Sequence, residues 1–133
     1  METIYVVHSN GFDYKTELYT PLRKSELNTK FSIILPHENS EGHYNSKQLF
    51  RTGGCQLVLA EISFPSEGRA IEMGWANAYG IPILSIHRRG AKYSGSIHAI
   101  CEDFIEYQNI EGILDTIEES IRRILSRQKS WIT

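Results

Sequence analysis

The run from Leu57 to Arg88, LVLAEISFPSEGRAIEMGWANAYGIPILSIHR, constrains the fold more than any other part of the chain. An apolar stretch ends at Glu61 and Ile62, Ser63-Phe64-Pro65-Ser66 makes a turn, and a helical pattern follows until Gly80; Pro82 then opens a second apolar stretch, Ile83 to Ile86. Ser66 reads as the helix N-cap and Gly80 as its stop. Strand, helix and strand in succession mean parallel strands in one sheet, joined by a right-handed crossover. One helical residue is out of character. Glu72 stands among Ala70, Ile71, Met73, Gly74, Trp75 and Ala76, and a carboxylate packed on a sheet is costly unless a partner or a ligand compensates it. Arg69 and Arg88 are candidate structural partners, and a functional site is the alternative.

The rest of the chain repeats this alternation. Thr3 to Val7 is a central parallel strand, closed by the polar break His8-Ser9-Asn10-Gly11. From Asp13 to about Asn28, Tyr14, Leu18, Tyr19, Leu22 and Leu27 are spaced for a helix, which Pro21 disfavours. Phe31 to Leu35 is a second strand, residues 36–46 form a turn-rich loop, and Ser46 to Thr52 form a short helix before Gly53-Gly54. Residues 87–98 read as a flexible basic loop that turns helical near Ser96, and Phe104 to Tyr107 as a fifth, edge strand. Ile110 to about Arg127 carries Ile110, Ile113, Leu114, Ile117, Ile121, Ile124 and Leu125 on one helical face. The expected fold is α/β: a flavodoxin-like or Rossmann-like three-layer sandwich on a five-stranded parallel sheet, with residues 1–133 as a single domain. Ligands of such sheets bind at the carboxyl ends of the strands, where the strand order reverses. The loops after Val7, Ile62 and Ile86 are therefore expected to build the site.

Several function classes fall away. A net charge of −2 leaves no basic footprint for nucleic acid. Arg122, Arg123, Arg127 and Lys129 gather near the C-terminus but follow Glu118 and Glu119, and read as a solvated helix end. No apolar run reaches membrane-spanning length and METIYVVHS lacks the features of a signal peptide, so a cytoplasmic protein without a membrane partner is expected. Cys55 and Cys101 have neither disulfide-framework nor metal spacing, and no metal or cofactor is expected. The glycine-rich phosphate loops G-x-G-x-x-G and G-x-x-x-x-G-K-[ST] are absent. What the expected loops offer instead is hydroxyls and carboxylates: Ser9, Ser63, Ser66, Glu61, Glu67 and Glu72. Ser66, at a helix start, is either an anion site or simply a cap.

The segment Leu59-Ala60-Glu61-Ile62-Ser63-Phe64-Pro65-Ser66-Glu67-Gly68, followed by Ile71-Glu72-Met73-Gly74 and Pro82-Ile83-Leu84, resembles the nucleoside 2-deoxyribosyltransferase superfamily. It is closest to the 2′-deoxynucleoside 5′-phosphate N-hydrolases, whose V-A-E-V-x-x-P-S-x-G-x-x-x-E-[LMI]-G segment carries a catalytic glutamate. The likeness runs from Tyr5 to about Ser96. It implies cleavage of the base–sugar bond of a (deoxy)nucleoside 5′-monophosphate, or transfer of the sugar to another base, with Glu72 as nucleophile and Tyr5 positioning it. It implies phosphate contacts from Ser9 and Ser66, a base or sugar contact from His37, and Asn10, Gly11, Glu61 and Gly68 in the same substrate-binding loops. Ser96 would complete a neighbour's site in a homodimer or larger homo-oligomer. Trp75 and Tyr79, beside the small Gly74 and Ala78, are then interface anchors or ordinary core aromatics.

One departure stands out. The family's second catalytic carboxylate, an aspartate, falls on Gln48, and no Asp or Glu lies between Gly42 and Ala60. An amide neither donates nor takes a proton as an acid or base. Either the acid role has moved to Glu61, Glu67 or His37, or the chain cleaves slowly, or it is a noncatalytic nucleotide-binding module. A TIR-like or other NAD-cleaving glycohydrolase, which also uses a glutamate on an α/β sheet, is a further alternative.

Overall fold

The computed structural model describes residues 1–40 and 42–132, the side chains of 129–132 excepted; Glu41, in the turn-rich loop, and the Lys129 side chain lie outside the described residues. Five strands form one all-parallel sheet: β1 (Thr3–Val7), β2 (Ser32–Ile34), β3 (Leu57–Glu61), β4 (Ile83–Arg88) and β5 (Asp103–Tyr107). Their spatial order is β2-β1-β3-β4-β5, so the winding reverses between β1 and β3. That order is the flavodoxin-like one, with β5 at an edge and β1 inside the sheet.

Burial on both faces explains the apolar strands. Alternate side chains feed two separate cores: Ile4, Val6, Leu57, Leu59, Leu84 and Ile86 on one face, Tyr5, Val7, Val58, Ala60 and Ile83 on the other. The first face is covered by α1 (Thr20–Lys24), α2 (Leu27–Lys30) and α5 (Leu114–Ile132), and the second by α3 (Ser46–Arg51) and α4 (Glu67–Ala78). Ile110, Ile113, Ile117, Ile121 and Ile124 are all buried, as their spacing requires. Their first turn, Ile110–Ile113, is a 3-10 helix capped by Asn109, whose side chain accepts from the Gly112 N–H. Gly80 closes α4 at φ +74°, a conformation that disfavours any residue with a Cβ.

The structure departs from the sequence reading at three places. The expected helix from Asp13 to Asn28 is not continuous: Lys15–Tyr19 is a π-helical turn, and α1 follows with Pro21 in its first turn. Proline has no N–H for the carbonyl four residues back, so the ladder resets there. Strand β4 runs on to Arg88, so what was expected as loop from residue 87 begins two residues later, and Gly95–Ala99 is a 3-10 helix. The C-terminal cations are not merely solvated: Arg123 and Arg127 hold Asp103 at 3.1 and 2.7 Å, tying α5 to the edge strand. Among the described residues no helix is long and apolar enough to cross a membrane.

Ile117 is fully buried between α5 and the sheet. Ile117→Ala is expected to cost about 2–5 kcal/mol, through lost apolar transfer and the cavity left behind. Denaturant unfolding at neutral pH measures it, and a loss well under 1 kcal/mol would contradict this packing.

Candidate active site

A cleft of about 270 Å³ opens at the carboxyl ends of β1, β2 and β3, beside the point where the winding reverses. Its floor is Tyr5, and α4 forms one wall with Ser66, Gly68, Arg69, Ile71, Glu72 and Trp75. His8 and Asn10 come from the loop after β1, and His37, His43 and Tyr44 from the loop after β2. The expected contribution of the loop after Ile86 is not found in this cleft. The segment between β2 and α3 takes its place.

At the centre, the Tyr5 hydroxyl donates to Glu72 Oε2 at 2.8 Å. Tyr5 is 1% exposed, wedged against Tyr44 and Phe50 at 5.4 and 5.5 Å between ring centroids. Burial, then the charge of Glu72, pushes its phenol well above the usual tyrosine range, so Tyr5 stays protonated and donates. Glu72 is not a buried core carboxylate and pairs with neither arginine. It sits half-buried on the cleft side of α4, while Met73 and Ala76 make the buried face. Arg69 donates instead to the carbonyl of Phe64 at 2.8 Å, and Arg88 pairs with Glu17 at 2.9 Å.

The N-terminus of α4 forms the anion-receptive part of the wall. Ser66 caps it, its Oγ accepting from the Arg69 N–H at 3.2 Å. The first-turn N–H groups of Glu67 and Gly68 have no carbonyl one turn back, and the dipole there favours negative charge. Arg69 adds a cation just below. It is 6% exposed, its Nε has no hydrogen-bond partner, and burial lowers its affinity for its proton, partly offset by Glu61.

The opposite wall is a hydrogen-bonded chain of aromatic rings. The backbone N–H of His37, not its ring, donates to the Tyr19 hydroxyl at 3.1 Å, and Tyr19 lies 2.6 Å from His8 Nε2. His8 Nδ1 lies 2.8 Å from the Ser9 carbonyl, which can only accept. Nδ1 therefore carries the proton, Nε2 accepts from Tyr19, and both ring nitrogens are engaged. Burial pushes His8 down to about 4, so the ring is neutral at pH 7. His37 packs edge-on to His8 at 5.7 Å and against Tyr14 at 6.1 Å.

Of the residues singled out in the sequence, Tyr5, Asn10, His37, Ser66, Gly68 and Glu72 come together here. The others do not. Gln48 is exposed on the outer side of α3, its side chain accepting from Arg51, and it does not line the cleft. The position that the resemblance gives to the aspartate lies on the outward face of α3, and on the inward face it is Ser46 that is fully buried, beside Tyr5. Glu61 projects from the opposite face of β3 to Tyr5. Its carboxylate, 0% exposed, accepts from the Ser63 N–H and hydroxyl at 2.7 and 2.6 Å and from Tyr107, so it ties β3 to the edge strand and does not line the cleft. Ser9 is buried, its hydroxyl accepting from the Gly11 N–H at 2.9 Å; both shape the loop without lining the cleft. Ser96 is exposed on the 3-10 helix, away from this cleft. Glu67 is exposed and does not line it. The sequence reading missed His8, His43, Tyr44 and Arg69. A visible signal was the enrichment of His and Tyr in PHENSEGHYNS, an otherwise polar loop at a strand's carboxyl end.

Among the described residues no three His, Cys, Asp or Glu are placed to hold a metal ion. No family model matches the chain, and no curated protein matches its sequence. Solved structures do match its shape. A CMP N-glycosidase from Clostridium botulinum, BcmB, superposes with a TM-score of 0.63 at 19% identity, covering 88% of this chain and 99% of its own. The signal receiver domain of a LuxO repressor protein from Vibrio parahaemolyticus superposes with a TM-score of 0.62 at 17% identity, covering 97% and 94%. The chain thus shares the flavodoxin-like α/β fold with proteins of very different activity, and fold alone does not choose between them.

The buried, neutral His8 makes stability depend on pH. Its folded value of about 4 lies below the ordinary 6.5, so as pH falls from 6.5 towards 4 the unfolded chain takes up a proton that the folded chain refuses. Unfolding free energy is fully retained above pH 6.5 and is lost below it, at up to about 1.4 kcal/mol per pH unit. Urea titrations across this range on wild type and His8→Phe are expected to show a shallower loss in the variant; identical slopes would contradict the assignment.

Proposed function

We propose that the chain is an N-glycosidase of the nucleoside 2-deoxyribosyltransferase superfamily, cleaving the base–sugar bond of a (deoxy)nucleoside 5′-monophosphate or passing the sugar to another base. The observation that carries this reading is the Tyr5–Glu72 hydrogen bond in a cleft whose wall begins at the anion-receptive end of α4. A fold shared with a CMP N-glycosidase supports it.

In this reading the 5′-phosphate rests on the first turn of α4 at Ser66 and Gly68, above Arg69, and contacts remote from the scissile bond supply binding energy that orients the sugar. Tyr5 engages Oε2 of Glu72, leaving the other oxygen to attack the anomeric carbon. The C–O bond forms as the C–N bond breaks, its electron pair leaves with the base, and a glycosyl ester remains on Glu72. Water then releases the sugar phosphate, or a second base accepts the sugar and leaves as a new nucleotide. No cofactor is needed. The receiver-domain neighbour has the same sheet and so does not discriminate. The substrate is a small nucleotide rather than a nucleic acid, and the setting is cytoplasmic nucleotide metabolism. The chain acts as a single domain in a homodimer or larger homo-oligomer. The exposed position of Ser96 leaves it available to complete a neighbour's cleft.

A second reading, a noncatalytic nucleotide-binding module, is favoured by one observation: Glu72 is the single carboxylate among the described residues lining the cleft, and Gln48 faces outward. A panel of ribo- and deoxyribonucleoside 5′-monophosphates, with base release followed chromatographically, separates the two. Wild type is expected to release base from at least one nucleotide, and Glu72→Gln to be slower by a factor on the order of 10³ or more. Thermal stabilisation by nucleotide with no base release would establish the binding module instead.

A further inference from the structure

Breaking an N-glycosidic bond leaves an electron pair on a base nitrogen, and an unactivated base departs far faster when a positioned group protonates it as it goes. The cleft narrows the choice of group sharply. Glu72 is consumed as the nucleophile in the reading above, and it is the only carboxylate lining the cleft among the described residues. Tyr5 has its proton committed to Glu72. Glu61 points to the other face of the sheet, into Ser63 and Tyr107, and Glu67 is exposed outside the cleft. Both nitrogens of His8 are satisfied, one by the Ser9 carbonyl and the other by Tyr19.

The Tyr44 phenol and two imidazoles remain, and imidazole is the side chain whose ordinary titration lies closest to neutral pH. His43 is exposed in the loop. His37 is anchored: its backbone N–H is bonded to Tyr19, its ring packs on His8 and Tyr14, and its Nδ1 is buried in the cleft wall without a hydrogen-bond partner. A buried ring nitrogen left unpartnered is costly in a resting protein and is the kind of group a ligand completes. The facing His8 is neutral, and Glu38, next in the chain, is paired with Arg23 at 2.8 Å.

Resting on the N-glycosidase reading, we infer that His37 is the general acid of this cleft, taking the role that a second carboxylate plays in two-carboxylate glycoside cleavage. As Glu72 attacks, the imidazolium of His37 transfers its proton to the departing base and becomes neutral. In the second step neutral His37 accepts a proton from the water that hydrolyses the ester, which restores both groups. The base leaves as a neutral molecule, the sugar phosphate gains a hydroxyl from water, and no co-reactant beyond water is required.

The test compares leaving groups. The two substrates are the nucleoside 5′-monophosphate that wild type cleaves fastest, and the corresponding sugar 5-phosphate carrying 4-nitrophenolate, which departs without a proton. His37→Gln is expected to lower kcat on the nucleotide on the order of 10²-fold or more while cleaving the nitrophenyl substrate at close to the wild-type rate. Retained nitrophenyl cleavage also shows that the variant folds. Equal losses on both substrates would make His37 a binding or structural residue, and loss on neither would remove it from the reaction; either overturns the inference while wild-type base release keeps the function intact. Failure of wild type to cleave either substrate overturns the N-glycosidase reading, and this inference with it.

Discussion

The hydrogen bond from Tyr5 to Glu72 is the interaction on which the arrangement of the cleft depends. Strand β1 is bonded on both edges, to β2 and β3, so Tyr5 cannot shift along or out of the sheet. A phenol buried to that extent needs an acceptor. Glu72 provides it, which requires the cleft face of α4 to lie over the carboxyl end of β1. The Ser66 cap, the turn before it and the buried Arg69 then follow as the means of starting that helix in the right place.

The same strand placement explains why the cleft draws on the loops it does. A sheet wound outward in both directions from β1 and β3 leaves a crevice between their carboxyl ends, and segments leaving β1, β2 and β3 must border it. The loops after β4 and β5 lie further along the sheet. There the carboxyl ends are closed by a different cluster, in which Ser63 and Tyr107 satisfy Glu61 and the Arg88 N–H donates to Ser63. Two acidic residues only eleven positions apart, Glu61 and Glu72, thus meet different surroundings because one sits on the far face of a strand and the other on the near face of a helix.

Much of this was legible in the sequence. Apolar runs, turn residues and the isoleucine periodicity of the last helix marked the five strands, their order along the chain and the last helix, since burial on both faces of a parallel sheet leaves that pattern. The failures share a cause: linear spacing does not say which way a side chain points. Gln48 holds the aspartate's place along the chain, but the phase of α3 turns it outward. Glu61 belonged to a promising segment, yet strand alternation sends it to the other core. Pro21 showed where a helix would be disturbed without saying that the outcome would be a π-helical turn. The His8–Tyr19–His37 chain was not legible at all. It joins three segments that meet only once the sheet and its covering turn are assembled.

A covalent bond from Glu72 to the sugar is the central step of the proposed reaction. Fluorine at the sugar 2-position destabilises cation-like transition states, and with a good leaving group it lets the glycosyl-enzyme ester accumulate. Intact-protein mass spectrometry after incubation with a 2-fluorinated nucleoside 5′-monophosphate is therefore the most direct measurement. The predicted result is a mass increase equal to the fluorinated sugar phosphate, located by peptide mapping on Glu72 and absent in Glu72→Gln. Base release from the same analogue without an adduct, or an adduct on another residue, would contradict it.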